Sequence, residues 1–397
     1  MHLEAMQAAL RAQGCDAWLF YDHHHRDPIA YRILDLPAAM ATRRWYYLVP
    51  AQGAPRKLVH RIEAGSLDSL PGERREYAQW SQLEAGLREL LSGLPAHPKL
   101  AMQYSPGCVL PAISLADAGT VEQLQALGCT IVSSADLIAQ FDAAWTQAML
   151  DSHHAAGRII DQTIPAAFAL VRQKLDAGQR LDEYQLQQWI LERMAAAGIA
   201  PEAPIVAVNA HGGDPHYMPA ARDSAPIQAG DLLLLDVWGR MAQPGTAYYD
   251  VTWMGYVLRP GEDKVPDSMA RTFAIAAAAR DAGIRRVQEA IAAQRPLCGY
   301  EVDQAVRAVI TAAGLGDFFV HRTGHSLGRE VHASGANMDD FETHDVRRIL
   351  PHNAFTIEPG IYCPRGEAFG VRTEINIHVG EDAAQVTGPI QREIVRI

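Results

Sequence analysis

Asp236 stands in LLLLDVWG, Asp250 in YYDVTWM, Glu358 between AFTI and Pro-Gly, and Glu374 in VRTEINIHV. A carboxylate inside an apolar strand is costly unless it is paired or bound to a metal. Four of them need a common explanation: four private ion pairs, or one shared cation site. Arg372 is the near basic partner, two residues before Glu374 and therefore expected on the same strand face. Private pairing of all four would need distant partners, so a shared site is the simpler account. The four carboxylates carry −4, which two divalent cations balance and one does not; such cations sit about 3.5–4 Å apart. Oxygen ligands with histidine as the nitrogen donor favour Mn²⁺, Co²⁺ or Zn²⁺ over a thiolate metal. His211 and His216 lie in a glycine-rich stretch, and His321, His325 and His332 fall within HRTGHSLGREVH. A lone histidine is commonly a satisfied polar group; three so close together point to a site.

The elements that must position these residues fall into two parts. Helix is expected over residues 3–13 and 83–91, and strands over 17–21, 45–49, 100–102 and 130–132, an α/β pattern with a largely parallel sheet. No phosphate-cradling glycine loop follows any of these strands. The pattern changes near residues 142–150. A long helix over 143–164 is expected to end at Pro165, and a second over 181–197 has Asp182 as its N-cap and Gly198 at its end. Strands follow in PIVAVN, DLLLLDVWG and DVTWMGYVL, then helices over 266–293 and 301–313. FFVHRTGH, AFTIEPGIY and VRTEINIHV read as further strands, an α+β arrangement. His23, His24 and His25 read as a solvated loop.

The chain has 397 residues, with 35 Lys and Arg against 46 Asp and Glu, a formal charge of −11. Its 48% hydrophobic and 20% charged content is that of a globular chain of about two domains. The acidic balance argues against a nucleic-acid partner and against docking on an anionic membrane. The uncharged run over residues 100–116 contains Pro106, Gly107 and Pro111 and does not read as a membrane-spanning helix. The N-terminal residues lack the pattern of a secretory signal, and five cysteines without a C-x-x-C suggest reduced thiols in a cytoplasmic protein.

Asp236, Asp250, His325 in HRTGHSLGREVH, Glu358 in TIEPGIY and Glu374 in VRTEINI, in that order, resemble the pita-bread metallopeptidases: Xaa-Pro dipeptidase (prolidase), aminopeptidase P and creatinase-like relatives. The resemblance implies a pita-bread catalytic domain over 148–397 and, more weakly, an N-terminal α/β creatinase-type domain over 1–147. It implies two divalent ions, Mn²⁺ foremost, with Asp236 on one, His325 and Glu358 on the other, and Asp250 and Glu374 bridging. Thr252 matches a hydroxyl that orients ligands, His216 a substrate-side histidine, His332 the histidine at the reacting carbonyl, and His321 a further histidine lining the site. Glu358 would move the proton, and Arg372 would serve the site, as a holder of the proline carboxylate in a dipeptidase. The implied substrate is a small proline-containing peptide and the implied assembly a homodimer. Arg347 and Arg348 read as solvated.

The sequence departs from the family pattern in three places. The two aspartates are 14 residues apart around the tip RMAQPGTAY, so Tyr248 and Tyr249 match no family tyrosine. Ala333-Ser334-Gly335 replaces a common Glu-x-Pro, and the interval from His325 to Glu358 is long. These changes touch the pocket wall. Two rivals of other classes remain: a serine hydrolase using Gly324-His-Ser-Leu-Gly328 with His211-Gly-Gly213 as an oxyanion loop, and a non-catalytic peptide-binding member of the fold. A metal-free creatinase-like hydrolase is a third; five retained ligands count against the last two.

Overall fold

The computed structural model describes residues 2–37, 40–363 and 368–397. The chain divides into two compact units, Met1–Asp142 and Ala143–Ile397.

The first unit is built on strands β1 (Ala17–Asp22), β2 (Trp45–Pro50), β3 (Arg56–His60), β4 (Glu73–Tyr77), β5 (Lys99–Met102) and β6 (Thr130–Ser133), in the order β4-β3-β2-β1-β5-β6. Helices α1 (Leu3–Ala12), α2 (Pro28–Leu34), α3 (Trp80–Leu90), α4 (Ala118–Ala126) and α5 (Ala135–Phe141) accompany it. Every residue of β1 and β2 is buried. The sheet is parallel at β3-β4, β1-β5 and β5-β6, as expected, but β1 pairs antiparallel with β2, and β2 with β3. The short link between β2 and β3 cannot make the crossover that a parallel pair requires.

At the head of α2, Asp27 accepts the Ala30 N–H at 2.9 Å and is 4% exposed. Burial, with the Asp22 carboxylate adding to it, pushes its pKa up to about 7. A raised carboxylate pKa gives stability that is full below the unfolded value and is lost as pH rises through the folded one. Asp27→Asn keeps a good N-cap and removes that titration. The variant is expected to gain on the parent by a few kcal/mol between about pH 4 and pH 8. Denaturant titration at the two pH values checks this; an unchanged difference would contradict it.

The second unit opens with α6 (Gln147–Asp176) and α7 (Glu183–Ala196). Contrary to the expected stop, α6 runs straight through Pro165. An interior proline costs about 3 kcal/mol. Ile160, Ile164, Ala167, Phe168 and Val171 are buried in one cluster and offset it, since each large side chain contributes about 1.5–3 kcal/mol. Helix α7 is capped by Asp182 and Gln185, each accepting from the other's backbone N–H.

Strands β7 (Ile205–Val208), β8 (Leu232–Gly239) and β9 (Tyr249–Tyr256) form an antiparallel sheet. Leu232 and Leu234 enter one apolar cluster; Leu233, Leu235 and Val237 enter another on the opposite face. Helices α8 (Asp267–Ala292) and α9 (Gly299–Ala312) pack into the first of these clusters. Then come β10 (Ser326–Leu327), β11 (Ala354–Ile357), β12 (Gly360–Cys363), β13 (Phe369–Arg372), β14 (Ile375–Val379), β15 (Ala384–Val386) and β16 (Val395–Arg396). Strand β16 adds to β9; the others make a β10-β11-β14-β15 sheet and a β12-β13 pair.

FFVHRTGH is irregular except for its approach to β10. Thr323 donates its N–H and hydroxyl to the buried Asp303 carboxylate, while its carbonyl accepts the Glu358 N–H at 2.7 Å. AFTIEPGIY and VRTEINIHV each break in two. Strand β11 pairs with β14 and β12 with β13, so both segments change sheet at the same level, at Glu358-Pro359 and Thr373-Glu374. Pro359 has no N–H for a ladder. No described helix is long and apolar enough to cross a membrane.

Candidate metal centre

The register of β8 on β9 sets Asp236 opposite Thr252 and Trp238 opposite Asp250. Alternation then puts all four on one face, the face that carries Leu234 and Met254 into the core. Glu358 and Glu374 come in from the two strand breaks, and His325 from the residue before β10. His325 Nε2 lies 3.5 Å from Asp250 Oδ2 and 3.4 Å from Glu358 Oε1. Asp250, His325 and Glu374 each offer a ligand atom within 4.8 Å of the others. Glu374 Oε2 accepts the Thr252 hydroxyl at 2.8 Å. Asp236 is within electrostatic reach of Asp250, Glu358 and His325. The five side chains assigned to metal thus converge.

Asp250, Glu374 and His325 are each only 4% exposed. Burial, partly relieved by Arg372 and aggravated by Asp250 and Glu358, pushes Asp236 up to about 7. Burial and then the carboxylates of Asp250, Glu358 and Asp236 hold Glu374 well above its ordinary range. Burial works against the charged form of His325, yet the Asp250 and Glu358 carboxylates still raise it. Asp250 Oδ1 is buried with no hydrogen-bond partner among the described residues. A bare carboxylate oxygen in such a place lacks its compensating charge. Private ion pairing does not supply it: among the described residues, the Lys or Arg ion pairs to the four carboxylates reduce to Arg372 with Asp236. Buried oxygens and one imidazole, with a lone pair left bare, fit divalent cations.

Arg372 is not where the strand reading put it. Its guanidinium reaches across to Asp236 Oδ2 at 2.5 Å, and donates to the Thr252 hydroxyl at 3.0 Å and the Tyr362 hydroxyl at 3.2 Å. Because the chain breaks after Arg372, it does not share a strand face with Glu374. With these partners and 4% exposure its guanidinium is held among the residues expected to bind metal. His321 is likewise engaged. Its Nδ1 must donate to the Arg322 carbonyl at 2.6 Å, which leaves Nε2 to accept from the Tyr362 hydroxyl at 2.7 Å. A relay therefore runs from Asp236 through Arg372 and Tyr362 to His321. Burial and the Arg372 charge push His321 down to about 3. Both of its ring nitrogens are thus engaged within the protein.

His332 sets its ring edge-on to His325, centroids 4.3 Å apart, and is exposed. Desolvation and then the neighbouring His325 push it down to about 4. His216 is exposed, with its backbone N–H on Asp214, and it lies within electrostatic reach of His332. His211 belongs elsewhere: it donates to the buried Glu183 and stacks on Tyr217. Tyr248 bonds Glu202 and Tyr249 bonds Asp161. Arg347, read as solvated, is 2% exposed and clamped on Asp345 and the Ser334 carbonyl; Arg348 is exposed.

Four contributors were missed. Trp238 shares the face of Asp250, and its indole N–H donates to Glu202 at 3.0 Å. Thr356 donates to Glu358 Oε1 at 3.1 Å and accepts the His325 N–H at 3.0 Å. Tyr362 joins Arg372 to His321, and Asn376 accepts the Asp250 N–H at 3.2 Å. The signal for Trp238 and Thr356 was there, since each stands two residues from a ligand. The serine elbow is absent. Ser326 lies in β10 with no helix after it, and its hydroxyl accepts the Gly335 N–H.

The model of metallopeptidase family M24 matches residues 151–381. A probable dipeptidase PepE of Mycobacterium tuberculosis is 27% identical over 354 residues, 88% of this chain and 84% of that protein. The crystal structure of dipeptidase PepE from Mycobacterium ulcerans superposes with a TM-score of 0.71 at 25% identity, covering 100% of this chain and 97% of that one. The Xaa-Pro dipeptidase of Bacillus anthracis superposes at 0.66 with 19% identity over 100% and 99% of the two chains, a likeness of fold.

Proposed function

The chain belongs to metallopeptidase family M24 and has its pita-bread fold, and from that premise we propose that it hydrolyses the bond before proline, with Xaa-Pro dipeptides as the preferred substrates. The observation that carries the metal part is the bare buried oxygen of Asp250 amid three further carboxylates and one imidazole. Asp236, Asp250, His325, Glu358 and Glu374 would hold a pair of divalent cations, Mn²⁺ foremost with Co²⁺ or Zn²⁺ as alternatives. Such cations supply Lewis-acid polarisation of a carbonyl and acidify water near neutral pH.

The residues do the rest. Glu358, oriented by the Thr356 hydroxyl, takes the proton from the attacking water and passes it to the departing proline nitrogen. That nitrogen carries no N–H in the substrate, so ring shape and the missing donor are what a pocket can recognise. His332 hydrogen-bonds the carbonyl oxygen as it gains charge, and His216 holds the substrate. Arg372 and His321 keep Asp236 and Tyr362 in place. Preference for dipeptides is supported by the dipeptidase names of PepE and of the Bacillus anthracis protein, and an Xaa-Pro aminopeptidase acting on longer peptides is the alternative, a name that other relatives carry; a homodimer in the cytoplasm completes the proposal, the dimer being checked by light scattering.

Metal content of the purified protein, followed by free-proline release from Xaa-Pro and Xaa-Ala dipeptides, tests this. About two divalent ions per chain and release confined to Xaa-Pro are expected; metal-free activity would sink the proposal. Ser326→Ala is expected to keep its rate, whereas loss of activity in that variant with metal retained would favour the serine hydrolase. His332→Ala is expected to keep its metal and lose roughly 10²-fold in kcat; full turnover would remove its role.

A further inference from the structure

On the premise that the chain hydrolyses Xaa-Pro dipeptides, we propose that Glu202 selects the residue before proline: its carboxylate takes a basic side chain, lysine or arginine, at that position of the substrate.

The two rings that hold Glu202 belong to the metal-bearing face. Trp238 lies two residues past Asp236 on β8, and Tyr248 two residues before Asp250, just ahead of β9. Alternate residues of a strand share a face, and the register sets Trp238 opposite Asp250. Both rings therefore stand on the side that presents the two aspartates. Trp238 donates its indole N–H to Glu202 Oε2 at 3.0 Å, and Tyr248 donates its hydroxyl to Oε1. Burial and then the bond to Glu202 push Tyr248 up to about 12, so it stays a neutral donor. Two fixed donors thus hold the carboxylate over that face. It sits one step outward from the aspartates, and two residues along a strand span about 6.6–6.8 Å.

A carboxylate so placed lacks a charge partner. Among the described residues no Lys, Arg or His nitrogen is within ion-pair distance of Glu202. Arg240, close by, lies over the Tyr248 ring, 5.5 Å from its centroid, and reaches the Thr246 hydroxyl at 3.4 Å. Glu202 and Trp238 are both half-buried. Each carboxylate oxygen keeps a lone pair beyond the one already used, so Glu202 can still accept from a cation.

Distance selects which cation of the substrate that is. The α-ammonium lies two bonds from the reacting carbonyl carbon and stays beside the metal ligands. It cannot also reach a group about 6.6–6.8 Å further along the strands. Lysine and arginine carry their charge on flexible stems of four and three methylenes, and either spans the step. The stem would lie along the Trp238 ring, whose face attracts the cation. A neutral side chain of the same length leaves Glu202 unpaired, and an acidic one is repelled.

The test compares kcat/KM for Lys-Pro, norleucyl-proline and Glu-Pro on the full metal-loaded chain. Lys-Pro is expected to exceed norleucyl-proline by roughly tenfold, with Glu-Pro below both. Glu202→Gln should bring the ratio of the first two to within about twofold of unity. Glutamine still accepts from Trp238, and the Tyr248 hydroxyl can turn to accept from its amide, so the support survives and the charge goes. A Glu202 that only props the two rings would leave the ratio untouched. The ratio is taken on one preparation, so a smaller folded fraction in the variant cancels. Calorimetric titration with lysine and norleucine, the cleavage products, repeats the comparison without turnover. If no Xaa-Pro bond is cut, the hydrolytic reading fails while this binding ratio still decides the role of Glu202. Lysine and norleucine bound equally by the parent, or a lysine preference that survives Glu202→Gln, would overturn the assignment.

Discussion

Glu374→Gln is expected to reduce hydrolysis by more than about 100-fold and to release metal. Glutamine keeps the volume of Glu374 and can still accept the Thr252 hydroxyl, so shape and that hydrogen bond survive. What is lost is one negative charge of four around a buried point. The metal-free protein should respond in the opposite sense. Without cations Glu374 faces Asp250, Glu358 and Asp236 across a dry interior, with Arg372 as the nearby counter-charge. Removing a charge there should raise the stability of the chelated protein by about 1–3 kcal/mol. Elemental analysis and kinetics on the loaded protein, with thermal unfolding in chelator, read both effects. Metal retained at full stoichiometry with full activity would remove Glu374 from the ligand set. A chelated variant less stable than its parent would mean that the carboxylates do not repel one another.

Arg372→Ala is expected to destabilise the protein by about 3–5 kcal/mol, the range for breaking one side of a buried ion pair. It strands Asp236 and removes donors from Thr252 and Tyr362. Adding Asp236→Asn should restore part of the loss, because the uncompensated charge goes with it. The kinetic signature separates two roles. As a support for Asp236, Arg372 affects metal affinity and kcat alike for a dipeptide and its C-terminal amide. As a clamp on a substrate carboxylate, it would change KM for the free acid alone. The first outcome is expected; a selective rise in KM with stability intact would reverse the assignment.

Much of the centre was legible in the residues. The polar residue in each apolar strand was conspicuous, and the order of Asp236, Asp250, His325, Glu358 and Glu374 pointed to one shared site that the fold brings together. The N-cap of α7 and the apolar runs of β1, β2 and β8 were equally plain, because local chemistry decides them. What failed was decided at a distance. Pro165 was expected to end α6, but burial of one helix face outweighed a local penalty. FFVHRTGH had strand composition, yet Asp303 took the Thr323 N–H, and only the carbonyls of Thr323 and His325 bond the β11 segment.

The same division explains Arg372 and His321. Sequence alone determined their type and their nearness to ligands along the chain. Tertiary structure decided their partners, because the breaks at Glu358-Pro359 and Thr373-Glu374 exchange one sheet for another and turn Arg372 toward Asp236. Spacing along a strand gives the face of a side chain only while the strand continues. The sequence by itself determined which groups could bind metal and left a shared counter-charge as the simpler of two accounts. Only the fold decided which cations of the chain itself were already engaged, since that depends on contacts between residues more than a hundred positions apart, such as Arg372 and Asp236.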